Sequence, residues 1–296
     1  TGPVVQVRNS SGRISLEEDV DPGMAWEGPL AVLVNRYSAS ASEIFAAAIQ
    51  DYGRGVVIGE PTFGKGTVQS LLDLDDYAPS DKPGMGQLKI TMAQFFRVNG
   101  GSTQNMGVEP DIRFPSFGDP QEYGERSMDN ALPWSSIDPA RYQASGDLSQ
   151  LVAVADDRYQ GRIDGDEEFG WLMSDIDSYN ERANEKSISL LESVGRQKMK
   201  EEEDKKAARK AAEEARGPLL AQEGTLVEPD PELGDFDEEE AVNDEEEDEE
   251  EEGPDLLLRE AARIVFDMVE LESDLELLKQ QYAQLDKGAT EVPPVE

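Results

Sequence analysis

The 296-residue chain contains neither histidine nor cysteine. Without histidine there is no Ser-His-Asp triad and no imidazole metal site. Without cysteine there is no thiolate nucleophile, no disulfide and no thiolate zinc site. Hydrolytic chemistry is thereby left to serine or threonine with lysine, or to carboxylates. Long apolar runs are missing too: no stretch reaches the roughly 18 apolar residues of a bilayer-spanning helix. Basic charge is scarce, with 27 Lys and Arg against 65 Asp and Glu, a net charge of −38. Nucleic acids and anionic membrane surfaces are therefore poor partners. The chain opens Thr1-Gly2-Pro3, without an initiating methionine or a signal peptide.

The length predicts roughly two domains, and the charge divides unevenly between the two halves. Residues 1–150 hold 11 basic and 20 acidic residues, residues 151–296 hold 16 and 45. The first part reads as α/β. Pro29 to Asn35 (PLAVLVN) is a short apolar run of buried-strand type, and Val56 to Gly59 is another. Ser40 to Tyr52, alanine-rich and closed by Gly53, predicts a helix between them. Thr67 to Leu74 and Gln87 to Val98 predict strands, and Asn99-Gly100-Gly101 a turn. A βαβ unit followed by antiparallel strands is expected, with one mixed sheet.

The second part reads as helical, over Glu167 to Gly195 and the Lys/Glu/Ala/Arg stretch Lys198 to Arg216. Residues 228–252 hold 17 acidic residues and no basic one, a self-repelling run expected to be disordered. Beyond it, Leu257, Ala261, Ile264, Met268, Leu271, Leu275, Leu278, Tyr282 and Leu285 repeat at alternating spacings of four and three. This predicts one amphipathic helix over 253–288. Its seam can pack on its own protein or form a coiled coil with a second copy, and packing at home is the commoner use.

Two segments could carry chemistry. Ser38-Ala39-Ser40-Ala41-Ser42-Glu43 joins a strand to a helix. A serine at a helix start lies beside unpaired N–H groups and the positive end of the dipole, where developing negative charge is stabilised. Ser40-x-x-Glu43 is also a capping box, in which the serine merely caps the helix start, and for the motif alone that is the commoner reading. The second segment, Gly59-Glu60-Pro61-Thr62-Phe63-Gly64-Lys65-Gly66-Thr67-Val68-Gln69, holds one lysine between two glycines. A lysine acts as general base only when its surroundings keep it neutral; Phe63 and Val68 could desolvate it, and Gln69 offers a neutral hydrogen-bond partner. Gly59-x-x-x-x-Gly64-Lys65 also imitates the opening of a P-loop. Gly66 stands where the magnesium-binding hydroxyl belongs, however, and a strand follows instead of a helix.

Taken together, VLVNRYSASASEIFAAAIQDYGRGVVIGEPTFGKGTVQ, KITMAQFFRVNGGSTQNMGVEPDI and ALPWSSIDPARYQASGDLSQL resemble the C-terminal processing peptidases, serine proteases with a Ser–Lys dyad. The resemblance covers residues 1–200 well and returns faintly in the last helix. It implies Ser40 as nucleophile, Lys65 as general base, Gln69 as the residue that orients the lysine, and the Ala41 N–H as one oxyanion donor. Asp51 is sometimes grouped with the dyad. Eleven helical residues would set it about 16 Å from Ser40, so it is expected to be structural and only a weak supporting candidate.

The resemblance further implies an α/β (α+β) protease core with its nucleophile at a helix N-terminus, then a mainly helical C-terminal domain. The expected division is a partial catalytic core over 1–115, a linker over 116–133 and a helical domain over 134–227. The acidic run (228–252), the amphipathic helix (253–288) and a loose tail (289–296) follow. An earlier segment with a PDZ domain and a second oxyanion donor is implied upstream, so this chain alone is expected to be weakly active or inactive. No metal and no organic cofactor is called for. Implied partners are polypeptides with exposed apolar C-termini, an adaptor protein and a homo-oligomer, in the periplasm of a bacterial envelope. The alternative function is a helical, acidic interaction module, with the degenerate P-loop as a distant third.

Overall fold

A computed structural model describes residues 1–77, 84–119, 122–216 and 255–290. The acidic run at 228–252 and most of the expected tail lie outside the described residues. Thr1–Ala183 with Gly253–Glu296 form one compact unit, and Asn184–Glu252 a second.

The first unit contains two sheets and not one mixed sheet. Strands β1 (Gly2–Asn9), β2 (Ile14–Asp19), β5 (Thr67–Asp73) and β6 (Gln87–Phe96) form an antiparallel sheet in the order β2-β1-β6-β5. Strands β3 (Ala31–Val34), β4 (Val56–Gly59) and β7 (Ile112–Arg113) form a parallel sheet in the order β3-β4-β7. Helix α1 (Ala41–Asp51) is the crossover from β3 to its parallel neighbour β4, as parallel pairing requires. The strand after the lysine loop leaves this sheet because its partner is the long strand β6, in register from Thr67↔Gln94 to Asp73↔Gln87.

The parallel sheet is covered on both faces, which is why β4 reads as an unbroken apolar run. Val57 faces a cluster with Val34, Ala46, Ala47 and Val108, so α1 covers that side. Val56 and Ile58 face the larger cluster, with Ile112 and Phe114, under helices from the C-terminal part. Those helices are α2 (Ser149–Ile163), with Leu151, Val154, Ala155 and Tyr159, and α5 (Leu256–Ser273), with Ala261, Ile264, Met268 and Leu271. Helix α6 (Leu275–Thr290) adds Leu277, Leu278, Tyr282 and Leu285.

The helix expected over 253–288 is thus two helices. Asp274 breaks it with φ −129° and ψ 84°, and its carboxylate accepts from the N–H groups of Glu276 and Leu277 to cap α6. The seam packs within the chain, except at Leu275 beside the break, which is exposed. The long helical stretch read at 167–195 is likewise divided into α3 (Glu167–Asn184) and α4 (Glu192–Arg216). Between them Ser189 Oγ accepts from Leu191 N–H at 3.3 Å, a local bond that competes with the helix.

Candidate active site

Ser40 is the N-cap of α1, reached by a tight turn from the end of β3. Ser38 N–H donates to the Asn35 carbonyl at 2.9 Å, and Ile44 N–H to the Ser40 carbonyl at 3.0 Å. The Ser40 backbone lies at φ 58°, ψ −109°. An ordinary N-cap lies in the β region, and a side chain held at positive φ costs about 1–3 kcal/mol. Ser40 and Asn105 are the only non-glycine residues at positive φ among the described residues. The serine is therefore strained in a way that ending a helix does not require, while strand-to-helix nucleophile turns characteristically are strained.

Glu43, one turn into α1, is fully buried. Its Oε2 accepts from Ser40 N–H at 2.8 Å and from Lys65 N–H at 2.9 Å. Its Oε1 accepts from the Thr62 hydroxyl at 2.6 Å and from Gly64 N–H at 2.7 Å. The Thr62 hydroxyl in turn accepts from Val108 N–H at 2.7 Å, so its own proton goes to Glu43. Four donors thus converge on one carboxylate, with no cation among them. Burial pushes the Glu43 carboxyl above its ordinary range, and the bonds from Thr62, Gly64, Ser40 and Lys65 oppose that rise. Because both backbones bond the same oxygen, the Ser40 and Lys65 nitrogens lie within about 6 Å of each other.

The lysine loop is clasped from its other side by residues 102–107. Gly66 N–H donates to the Gln104 side-chain oxygen at 2.9 Å, and the Thr103 hydroxyl donates to the Lys65 carbonyl at 3.0 Å. Asn105 N–H donates to the Gly64 carbonyl at 2.8 Å. A Cβ on Gly66 would lie 2.8 Å from the Gln104 backbone nitrogen, and one on Gly64, at φ +90°, 3.1 Å from the Asn105 carbonyl carbon. The glycines flanking Lys65 are thus the condition for this clasp. The N–H groups that a P-loop would turn toward phosphate are committed to Glu43 and Gln104, and the segment after the loop is strand β5.

The backbones of Ser40 and Lys65 are brought together, and both residues are half-buried. No hydrogen bond joins Ser40 Oγ to Lys65 Nζ among the described residues; such bonds are commonly loose before substrate closes a site. Ala41 is the first residue of α1 and exposed, one of the helix-start positions whose N–H has no intrahelical acceptor. Asp51, at the far end of α1, receives two bonds from the Arg97 guanidinium, at 2.6 and 3.0 Å, and one from Asn99 at 2.8 Å. Gln69 stands exposed on β5 and forms no hydrogen bond to Lys65 among the described residues.

Sequence reasoning missed the second role of Glu43, and the parts played by Thr62 and Gln104. The capping-box spacing signalled only the local half of the Glu43 contacts. The other half joins residues 19 to 22 positions away, which no local pattern encodes.

Comparison with known proteins identifies the family. The description "Peptidase family S41" matches residues 1–114. The description "C-terminal domain of tail specific protease (DUF3340)" matches residues 118–270, more than half of the chain. The chain belongs to the tail-specific protease family within that class of peptidases. It is 41% identical over 276 residues to the tail-specific protease of Haemophilus influenzae, covering 92% of this chain and 37% of that protein. It is 38% identical over 112 residues to the carboxy-terminal-processing protease of Bartonella bacilliformis, covering 38% of this chain and 24% of that protein. Among solved structures, the photosystem II D1 C-terminal processing protease matches at 34% identity and a TM-score of 0.33, over 40% of this chain and 28% of that one. The chain thus spans well under half the length of the relatives it matches. Among the described residues no helix is long and apolar enough to cross a membrane.

Proposed function

We propose that the chain supplies the nucleophile and base of a serine endopeptidase acting on polypeptides with exposed, apolar C-terminal tails. The observation that carries this reading is the strained Ser40 backbone tied through one buried carboxylate to the backbone of Lys65. Lys65 Nζ takes the Ser40 hydroxyl proton while Oγ bonds to the scissile carbonyl carbon. The tetrahedral oxyanion is held by the Ala41 N–H and a second donor. The C–N bond then breaks, the amine leaves with the proton returned by Lys65, and an acyl ester remains on Ser40. Water, deprotonated by Lys65, hydrolyses that ester and restores the serine. Gln69 is assigned a supporting role toward the lysine, and Asp51 a structural one through Arg97.

A periplasmic site of action, an adaptor protein and self-association belong to the same proposal by family. So does the division into a catalytic core over 1–115 and a helical domain beyond a linker.

The test is made in the whole protein that carries this chain. Ser40→Ala and Lys65→Ala are each expected to abolish peptide hydrolysis with the melting temperature unchanged. Turnover retained in either variant overturns the dyad.

A further inference from the structure

The antiparallel sheet has two free edges among the described residues, β2 and β5, and the chain treats them differently. Edge strands carry unpaired N–H and C=O groups that invite another strand, and proteins usually block them with charge, proline or cover. β2, Ile14–Asp19, ends Glu17-Glu18-Asp19, so it is blocked by charge. β5 reads Thr67-Val68-Gln69-Ser70-Leu71-Leu72 before its first charge at Asp73, with no proline or lysine. At about 3.3 Å per residue its seven residues offer an edge of roughly 23 Å. Its side chains are uncovered as well: Val68 is 38% exposed and Leu71 63%.

The unblocked edge is also the one that reaches the candidate site, since β5 begins two residues after Lys65. Its two faces differ. Ser70 and Leu72 pair with Ile90 and Leu88, while Gln69 and Leu71 pair with Thr91 and Lys89. Paired residues share a face, so one face is largely apolar and partly exposed at Leu88 and Ile90, and the other is mixed. The register passes from Val68↔Ala93 to Gln69↔Thr91, a bulge that leaves Met92 unpaired and turns the strand where it leaves the lysine loop.

We propose that the free edge of β5 is the substrate-docking edge. A polypeptide segment adds to it as a further strand, in uncharged sequence with apolar residues at every second position. This rests on the peptidase reading above. The backbone bonds supply affinity without demanding a sequence, and the alternating faces supply the preference. Acidic segments are disfavoured by the −38 charge of the chain. Gln69 then lies beside the bound backbone, which gives its exposure a use.

The test measures binding of labelled ten-residue peptides of alternating valine and serine to the Ser40→Ala chain by fluorescence anisotropy. Single N-methyl groups are placed at each peptide amide in turn. Methylation at every second amide is expected to weaken binding about tenfold, with little effect at the amides between. Leu71→Lys, at an exposed position, is expected to weaken binding similarly without lowering the melting temperature. Binding without that alternation, no binding up to millimolar peptide, or dimerisation through β5 that Leu71→Lys abolishes would each overturn the proposal. Peptide hydrolysis by the whole protein and its Ser40→Ala variant reads the nucleophile separately. Turnover retained in that variant, with alternating binding intact, removes the dyad and leaves the docking edge.

Discussion

Glu43 shows how one buried side chain can join two segments of the chain. Its carboxylate is the common acceptor for the backbone of the strained serine and for the lysine loop. Glutamine at this position puts an NH2 group against N–H donors, so at least two of the four bonds are lost. At about 1–3 kcal/mol for each buried donor left unpaired, Glu43→Gln is expected to destabilise the chain by about 2–6 kcal/mol and to depress catalysis in the whole protein. Urea denaturation reads the first effect and peptide hydrolysis the second. The group also carries a pH signature. Its folded-state pKa is raised above the ordinary 4.5 by burial, so the folded chain keeps a proton that the unfolded chain has already lost. The stability contributed by this group is therefore fully present below 4.5. It falls as pH rises through the folded value and is flat beyond it. The wild-type minus Glu43→Gln difference in unfolding free energy, measured from pH 4 to 8, should fall in that sense. A difference that rises with pH would remove the raised pKa.

Among the elements, α2 and α5 are fixed in register by charge as well as by apolar packing. Asp267 receives Arg158 on one oxygen at 2.7 Å and Arg162 on the other at 2.6 Å, while Arg162 also reaches the buried Glu260 at 2.5 Å. Removing one member of such a buried set leaves charges unpaired, so Asp267→Ala is expected to cost about 3–5 kcal/mol. A urea-denaturation loss below about 1 kcal/mol, the scale of a surface pair, would mean that the set is solvated. The same elements mark how far the sequence could be read. β3, α1 and β4 were legible because each carries its own signal, an apolar run or an alanine-rich stretch with a glycine stop. The β1–β2 hairpin was not, since Gln6 and Arg8 interrupt the apolar pattern of β1 and are accommodated only by distant partners, the Arg97 carbonyl and the Gln94 side chain. In α2 the spacing of Leu151, Val154, Ala155 and Tyr159 is helical, but Asp156, Asp157 and Arg158 dilute it. The break at Asp274 escaped notice because the seam residues on either side turn to one shared core, so their spacing carries on through it. At the candidate site, the carboxylate that joins the backbones of Ser40 and Lys65 was visible only as half a capping box.

At the scale of the whole molecule, the chain covers its parallel sheet with its own far end. Val56 and Ile58 share one apolar cluster with Ile264, Met268 and Leu271, which come roughly 200 positions later. Residues 1–216 are therefore expected to be incomplete as a folding unit without α5 and α6. Ending the chain at Arg216 uncovers the apolar face formed by Val56, Ile58, Ile112, Phe114 and Tyr159, together with Arg158 and Arg162 stripped of their carboxylates. Each fully buried large apolar side chain contributes about 1.5–3 kcal/mol, and a domain's whole margin is only about 5–15 kcal/mol. Residues 1–216 alone are thus expected to lose their cooperative thermal transition and to bind a hydrophobic dye. Adding residues 253–290 as a separate peptide should restore the transition, because the interface is side-chain packing and ion pairs and needs no covalent link. A truncated chain that melts cooperatively at the full-length temperature would show that the sheet does not depend on this cover. Restored melting with the peptide, but not with one carrying Asp267→Ala, would trace the dependence to the α2–α5 register.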